Sequence, residues 1–288
     1  MKIDDINVIG VAGAGQMGSG IAQVAAASGW AVRLYDVEAE ALERARRRIQ
    51  ESLTKSVDKG TLPADQVDAI LTRLRTITAL EDLADAQLVI EAAPEDPKLK
   101  AGVFRRLAQL CSPETILASN TSSISITRLG SAATHPERVV GIHFMNPVPV
   151  MRLIEVVKGE ETADATVACA FDLARRMGKT PVLSKDTPGF IVNRILMPMI
   201  NEAAFALETG VASTEDIDLA MRIGANHPMG PLALADRIGL DTVLAICEVL
   251  QEDLDDPKFR PSPLLRKYVD AGWLGRKTGR GFFNYRDP

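Results

Sequence analysis

A short apolar run over residues 6–12 ends in Gly13-Ala14-Gly15-Gln16-Met17-Gly18, and an Ala-rich stretch over 17–28 follows at once, stopped by Gly29. Strand, glycine turn and helix in that order constrain the chain more than any other feature. An apolar run bounded by turn signals suits a buried parallel strand. The spacing G-x-G-x-x-G then has a physical reading: Gly13 permits a tight turn, Gly15 lets a pyrophosphate approach the backbone, and Gly18 lets helix and strand come close. The helix N-terminus offers N–H groups, with Ala14, Gln16 and Met17 completing the loop, and a dipole that favours phosphate. Six residues alone are weak evidence, because glycine turns are common. Context strengthens them: a second strand over 31–35 closes on Asp36. A carboxylate there accepts hydrogen bonds from adenosine ribose hydroxyls and repels a 2'-phosphate, and neither Val37 nor Glu38 brings a cation, so NAD is expected over NADP. The bland alternative, a glycine-rich turn beside an exposed aspartate, leaves the agreement of strand, turn, helix and acid unexplained.

The same alternation continues. A long charged helix over 38–59 stops at Gly60, and another spans about 63–73. Strands read at 88–90, 115–119, 139–143, 153–157 and 180–183, with helical segments such as 98–111 and 162–177 among them. This order predicts an α/β, Rossmann-type doubly wound parallel sheet with helices on both faces. The pattern changes at Lys185-Asp186-Thr187-Pro188-Gly189. Helical stretches follow near 190–208, 214–222, 231–250 and 263–271. Two domains are therefore expected, a dinucleotide-binding one over 1–186 and a smaller all-helical one over 187–288, as the length of 288 residues also suggests.

Composition excludes several classes. A hydrophobic content of 46% with 25% charged residues describes an ordinary globular protein. The net charge of -5 lacks the basic balance of a nucleic-acid binder. The most apolar helix, near 195–207, is interrupted by Asn201 and Glu202 and is too short to span a membrane. The N-terminus has no signal-peptide layout. Three scattered cysteines, Cys111, Cys169 and Cys247, fit no metal or redox spacing; no metal is expected, and a reducing cytoplasm is the natural compartment.

The candidate chemistry lies in Gly141-Ile142-His143-Phe144-Met145-Asn146-Pro147, whose proline-rich continuation returns the chain into the strand 153–157 carrying Glu155. A strand, a tight return and a second strand can bring His143 and Glu155, twelve positions apart, within hydrogen-bonding reach. That pair would be a general base with a carboxylate to orient it and to stabilise its charged form. Taken alone, the segment equally suits a capped strand end and a solvated glutamate. Of the other two histidines, His135 before Pro136 reads as a surface turn residue and His227 as a turn residue between helices.

Five motifs in order resemble the 3-hydroxyacyl-CoA dehydrogenase family, most closely its short-chain bacterial members acting on the four-carbon thioester. They are Gly13 to Gly18, Ala118-Ser119-Asn120-Thr121-Ser122-Ser123, His143 to Glu155, Asp186-Thr187-Pro188-Gly189-Phe190-Ile191-Val192-Asn193-Arg194, and Gly275-Arg276-Lys277-Thr278-Gly279. The resemblance covers essentially the whole chain. It implies that His143 is the base and Glu155 its partner, that Ser122 bonds the substrate oxygen and faces the nicotinamide, and that Asn193 reaches the reacting centre from the second domain. It implies cofactor roles for Glu95, Lys100, Asn146 and Lys277, acyl-CoA contacts for Ser52 and Lys59, cleft closure by the helical domain and a homodimer. From the residues alone, Glu95 and Lys100 read rather as a surface ion pair beside a helix start. Phe144-Met145 departs from the two aromatics the family often carries after the histidine, which bears on pocket shape rather than on proton chemistry.

On the long helix, Arg44, Arg48, Ser52, Lys55 and Lys59 follow at spacings of four, four, three and four, and so share one face. A cationic stripe in an acidic protein suits an acyl carrier bearing several phosphates. A solvated face with pairs such as Glu40 with Arg44 is the alternative. A different reductase of this architecture, acting on a small β-hydroxy acid, would more naturally use a lysine base and would not need the stripe. A non-catalytic NAD-binding relative would have no use for both His143 and Glu155.

Overall fold

The computed structural model of the chain describes residues 1–286. They form two compact units, Met1–Thr187 and a second that begins at Pro188. The first unit runs β1 (Val8–Ala12), α1 (Gln16–Ala27), β2 (Ala31–Tyr35), α2 (Ala39–Asp58), α3 (Gln66–Thr72), β3 (Leu74–Ile77), β4 (Leu88–Glu91), α4 (Pro97–Leu110), β5 (Ile116–Ser119), α5 (Ile126–Gly130), β6 (Val139–Phe144), β7 (Leu153–Lys158), α6 (Asp164–Arg176) and β8 (Thr180–Lys185). All eight strands form one sheet in the order β3-β2-β1-β4-β5-β6-β7-β8. The strands from β3 across to β6 are parallel, β7 is antiparallel to β6, and β8 is parallel to β7.

That reversal follows from chain length. A parallel crossover needs about a dozen residues or more, and only residues 145–152 join β6 to β7. A doubly wound sheet is thus present, with its last two strands running against the rest. The strand order reverses between β1 and β4, the place where ligands collect at the carboxyl ends of strands. β3 was not expected. It is four residues long, pairs only with β2, and exposes Arg75 at the sheet edge, so it shows none of the apolar run that marks its neighbours.

The core of this unit joins Ile9 and Val11 of β1 and Val32 and Leu34 of β2 to Ile21, Ala22, Ala25 and Ala26 of α1, whose small side chains let the helix lie close to the sheet. The charged α2 still buries Leu42, Ala45, Ile49 and Leu53, one narrow stripe at helical spacing. Its other faces are left for ions.

The second unit holds α7 (Val192–Glu208), α8 (Thr214–Gly224), α9 (Pro231–Ile238), α10 (Leu240–Leu254) and α11 (Pro263–Asp270) around Met197, Ile200, Val243, Cys247, Leu250 and Leu265. The single helix expected over 231–250 is two. Gly239 stands at φ 106°, a conformation no helix interior adopts, and the chain turns there. Buried acids tie the unit together. Asp218 accepts the N–H groups of Leu232 and Ala233 at 2.8 Å each. Asp236 accepts those of Phe282 and Phe283, while burial pushes its carboxyl above the usual range. Among the described residues no helix is long and apolar enough to cross a membrane, and no cluster of His, Cys, Asp and Glu is grouped to hold a metal.

Candidate active site

β1 leads directly into Gly13, whose φ of 114° and nearness to Ala92 exclude a side chain: a Cβ there would lie 2.5 Å from the Ala92 carbonyl oxygen. A Cβ on Gly18 would lie 1.8 Å from the Gly13 oxygen. Gly15 is different. Nothing lies within 4 Å of the place its Cβ would occupy, so the protein's own packing does not require glycine there. A pyrophosphate approaching the N-terminus of α1 would require it, and the cradle fits that group. Asp36 stands beside the loop, with Oδ2 accepting the Ala14 N–H at 2.8 Å and Oδ1 the Glu38 N–H at 3.1 Å. Gln16 donates from Nε2 to Asn146 Oδ1 at 3.0 Å, which joins two of the expected cofactor residues across the start of α1 and the loop after β6.

Glu95 and Lys100 are not a surface pair. Lys100 is 1% exposed. Its Nζ lies 2.7 Å from Glu91 Oε1, 3.1 Å from the Ala93 carbonyl and 3.3 Å from Glu95 Oε2. Glu91, the last residue of β4, is 0% exposed and was not foreseen. Its other oxygen accepts from Ser119 Oγ at 2.7 Å, so one buried carboxylate spans the ends of β4, β5 and α4. Glu95 in turn gathers the loop after β5 on a single oxygen. Oε1 accepts from Thr121 Oγ1 at 2.6 Å, the Ser122 N–H at 2.9 Å, Ser122 Oγ at 3.2 Å and the Ser123 N–H at 3.2 Å. Burial opposes ionisation of Glu95, but the Lys100 charge and these donors outweigh it and hold the carboxyl below its ordinary pKa. Ser122 is thereby fixed, half-buried, at the carboxyl edge of the sheet.

His143 and Glu155 are directly opposed in the β6–β7 ladder. Nδ1 lies 2.7 Å from Glu155 Oε2, with His143 7% and Glu155 0% exposed. Asn120 steadies this end of the sheet, its Oδ1 accepting the Phe144 N–H at 2.9 Å. Phe144 is buried in the core, so variation in pocket shape falls to half-buried Met145. Lys179, buried on the segment before β8, donates to the Val148 and Met151 carbonyls at 2.6 and 2.8 Å and pins the return loop; burial lowers its pKa.

Other expected residues scatter. Ser52 sits half-buried on α2, and exposed Lys59 caps its end rather than lying within it. Arg44 pairs loosely with Glu38 and Glu40, and Arg48 donates to the Ala14 carbonyl at 2.7 Å, so the stripe is not a uniform row of solvated cations. In the second unit, Asn193 is buried near the start of α7, and Lys277 pairs with both Asp241 oxygens at 2.6 and 2.7 Å. His135 contacts Glu137 at 3.3 Å, and the His227 N–H goes to the Met221 carbonyl after α8. Sequence reasoning named Asn120 and Asp186 only as members of motifs, with no role, and missed Glu91 and Lys179, whose signal is a polar side chain at the end of a strand or just before its start.

The chain is similar to proteins of a single family. Residues 8–187 match the model of the 3-hydroxyacyl-CoA dehydrogenase NAD binding domain, and 189–285 match the C-terminal domain of the same family. A probable 3-hydroxybutyryl-CoA dehydrogenase of Bacillus subtilis is 52% identical over 98% of this chain and 99% of its own. The 3-hydroxybutyryl-CoA dehydrogenase of Bradyrhizobium diazoefficiens is 53% identical over 98% of this chain and 96% of its own. The crystal structure of (S)-3-hydroxybutyryl-CoA dehydrogenase from Ralstonia eutropha superposes with a TM-score of 0.95 at 46% identity, covering 98% of this chain and 100% of that one. With both family domains in order over nearly its whole length, the chain belongs to the 3-hydroxyacyl-CoA dehydrogenase family and is an NAD-dependent enzyme.

Proposed function

We propose that the chain interconverts (S)-3-hydroxyacyl-CoA and 3-ketoacyl-CoA, with 3-hydroxybutyryl-CoA and acetoacetyl-CoA as its substrate pair. The observation that carries the mechanism is the 2.7 Å contact between His143 Nδ1 and Glu155 Oε2. An ionised carboxylate can only accept, so Nδ1 carries the proton and Nε2 of the neutral ring holds the basic lone pair. His143 takes the hydroxyl proton through that nitrogen, and Glu155 stabilises the imidazolium that results. Bound NAD would supply the hydride acceptor for the substrate's C3 hydrogen. Ser122, held by Glu95, orients the substrate oxygen, because misplacement at a reacting centre is costly. Gly13, Gly15, Gly18 and Asp36 hold the dinucleotide, aided by Asn146. Ser52 and Lys59 receive the acyl-CoA. Asn193 and Lys277, carried by the second unit, are assigned substrate and cofactor roles on family membership alone. We place the enzyme in the cytoplasm, a reducing compartment that suits its buried free cysteines.

The test is acyl-CoA-dependent NADH oxidation with a double-mutant cycle. A general base contributes about 10²–10⁴-fold to rate, so His143→Gln should lose kcat on that scale while still binding NADH. Glu155→Gln keeps the shape, removes the charge and should also cost kcat far more than KM. Since the two act as one unit, the double variant should lose much less than the product of the singles. Multiplicative losses would dismiss the dyad, and turnover of longer 3-ketoacyl thioesters in preference to acetoacetyl-CoA would dismiss the four-carbon substrate.

A further inference from the structure

Arg48 belongs by sequence to the stripe on α2, yet its side chain leaves that row. Nη2 donates to the Ala14 carbonyl at 2.7 Å, inside the glycine-rich loop. The same residue's N–H is taken by Asp36 Oδ2 at 2.8 Å. Ala14 is therefore gripped on both sides, by an anion at its nitrogen and by a cation at its oxygen. A trans peptide points its C=O and the following N–H in opposite directions. An Ala14 carbonyl aimed at Arg48 thus turns the Gly15 N–H the other way. That N–H makes no hydrogen bond among the described residues, and separately nothing lies within 4 Å of the place a Gly15 Cβ would occupy.

We propose that Arg48 is a positioning residue for the diphosphate of NAD: it sets the Ala14–Gly15 peptide so that the Gly15 N–H faces the phosphates, and it places a positive charge at the rim of their cradle. The helix delivers it reliably. Ala45 and Ile49, on either side in the chain, are buried in the core, while Arg48 itself lies exposed on the neighbouring face. Guanidinium suits the task because its fixed planar fork holds one N–H on a carbonyl while the charge stays delocalised over the rest. The α2 helix then has two separate duties, with Arg48 turned to the dinucleotide and Lys59, at its far end, to the acyl carrier.

This inference rests on the NAD site and not on the proposed acyl substrate, so it is tested by binding to the full-length protein without turnover. In calorimetric titration, Arg48→Ala should raise the Kd for NADH and for ADP-ribose about ten-fold, the scale of one hydrogen bond to a charged group. Adenosine, which has the ribose but no diphosphate, should displace NADH as well from the variant as from the parent once the weaker NADH affinity is allowed for. Arg48→Lys, which keeps the charge and loses the fork, should fall between. Lys59→Ala should leave all three dinucleotide-site affinities unchanged and raise KM for acyl-CoA. Equal weakening of adenosine and ADP-ribose would overturn the proposal, as would an unaltered NADH Kd or an effect of Arg48→Ala confined to acyl-CoA.

Discussion

A lysine with 1% exposure is tolerable only if its charge is met, and Lys100 is met chiefly by Glu91. Removing one partner of a buried pair leaves the other charge uncompensated and costs about 3–5 kcal/mol. Glu91→Ala should therefore lower unfolding free energy on that scale in urea. Glu91→Leu combined with Lys100→Met buries no charge and should be more stable than Glu91→Ala alone; simple addition of the two single losses would show the pair to be uncoupled. Glu95 gives a pH signature instead. Its carboxyl is held below the ordinary value of 4.5, so the folded state binds fewer protons there than the unfolded one. The stability it confers is complete above that value and is lost as pH falls through the lowered pKa. The stability difference between parent and Glu95→Gln should shrink in acid, and a difference independent of pH would contradict the contact with Lys100. At this scale His143 and Glu155 were legible because a short return between two strands leaves few registers. Glu91 was not, because an acid closing an apolar strand reads like the strand's exposed end, and only the sheet shows that Lys100 arrives to cover it.

At the scale of elements, Asp186 fastens β8 to the start of α5. It accepts the N–H groups of Ile126 and Thr127 at 2.9 and 2.8 Å and the hydroxyls of Ser125 and Thr127 at 2.8 and 2.7 Å. α5 is too short to persist without such support. Loss of a capping side chain costs about 0.5–2 kcal/mol, and Asp186→Ala should reach the upper end, with hydrogen exchange accelerating in α5 before the rest of the sheet. Uniform acceleration would deny it a local role. The parallel strands announced themselves as apolar runs because both of their faces are covered. The edge strand β3 and the break at Gly239 did not. One is short and half-polar, and the other is a single glycine inside an otherwise continuous apolar pattern, where a conformation rather than a composition ends the helix.

At the scale of the whole molecule, the dinucleotide loop, Asp36, Ser122, His143 and Glu155 all belong to the unit Met1–Thr187. The other unit exposes several apolar side chains: Leu219 and Ile223 lie one turn apart on α8, 47% and 75% exposed, and Ile195 on α7 is 68% exposed. We propose that the α8 pair contributes to a homodimer contact, since adjoining apolar side chains left in water favour association. The chain should then sediment as a dimer. Leu219→Asp with Ile223→Asp places two like charges on the patch of each copy at a self-complementary contact, and should shift the protein towards monomer. Because the glycine-rich loop and Asp36, proposed above to hold the dinucleotide, belong to the first unit, that variant should bind NADH with the parent's Kd even where it has dissociated. A variant that stays dimeric would exclude this face as the contact. One that dissociates and also loses NADH binding would mean that the dinucleotide site depends on the assembled pair.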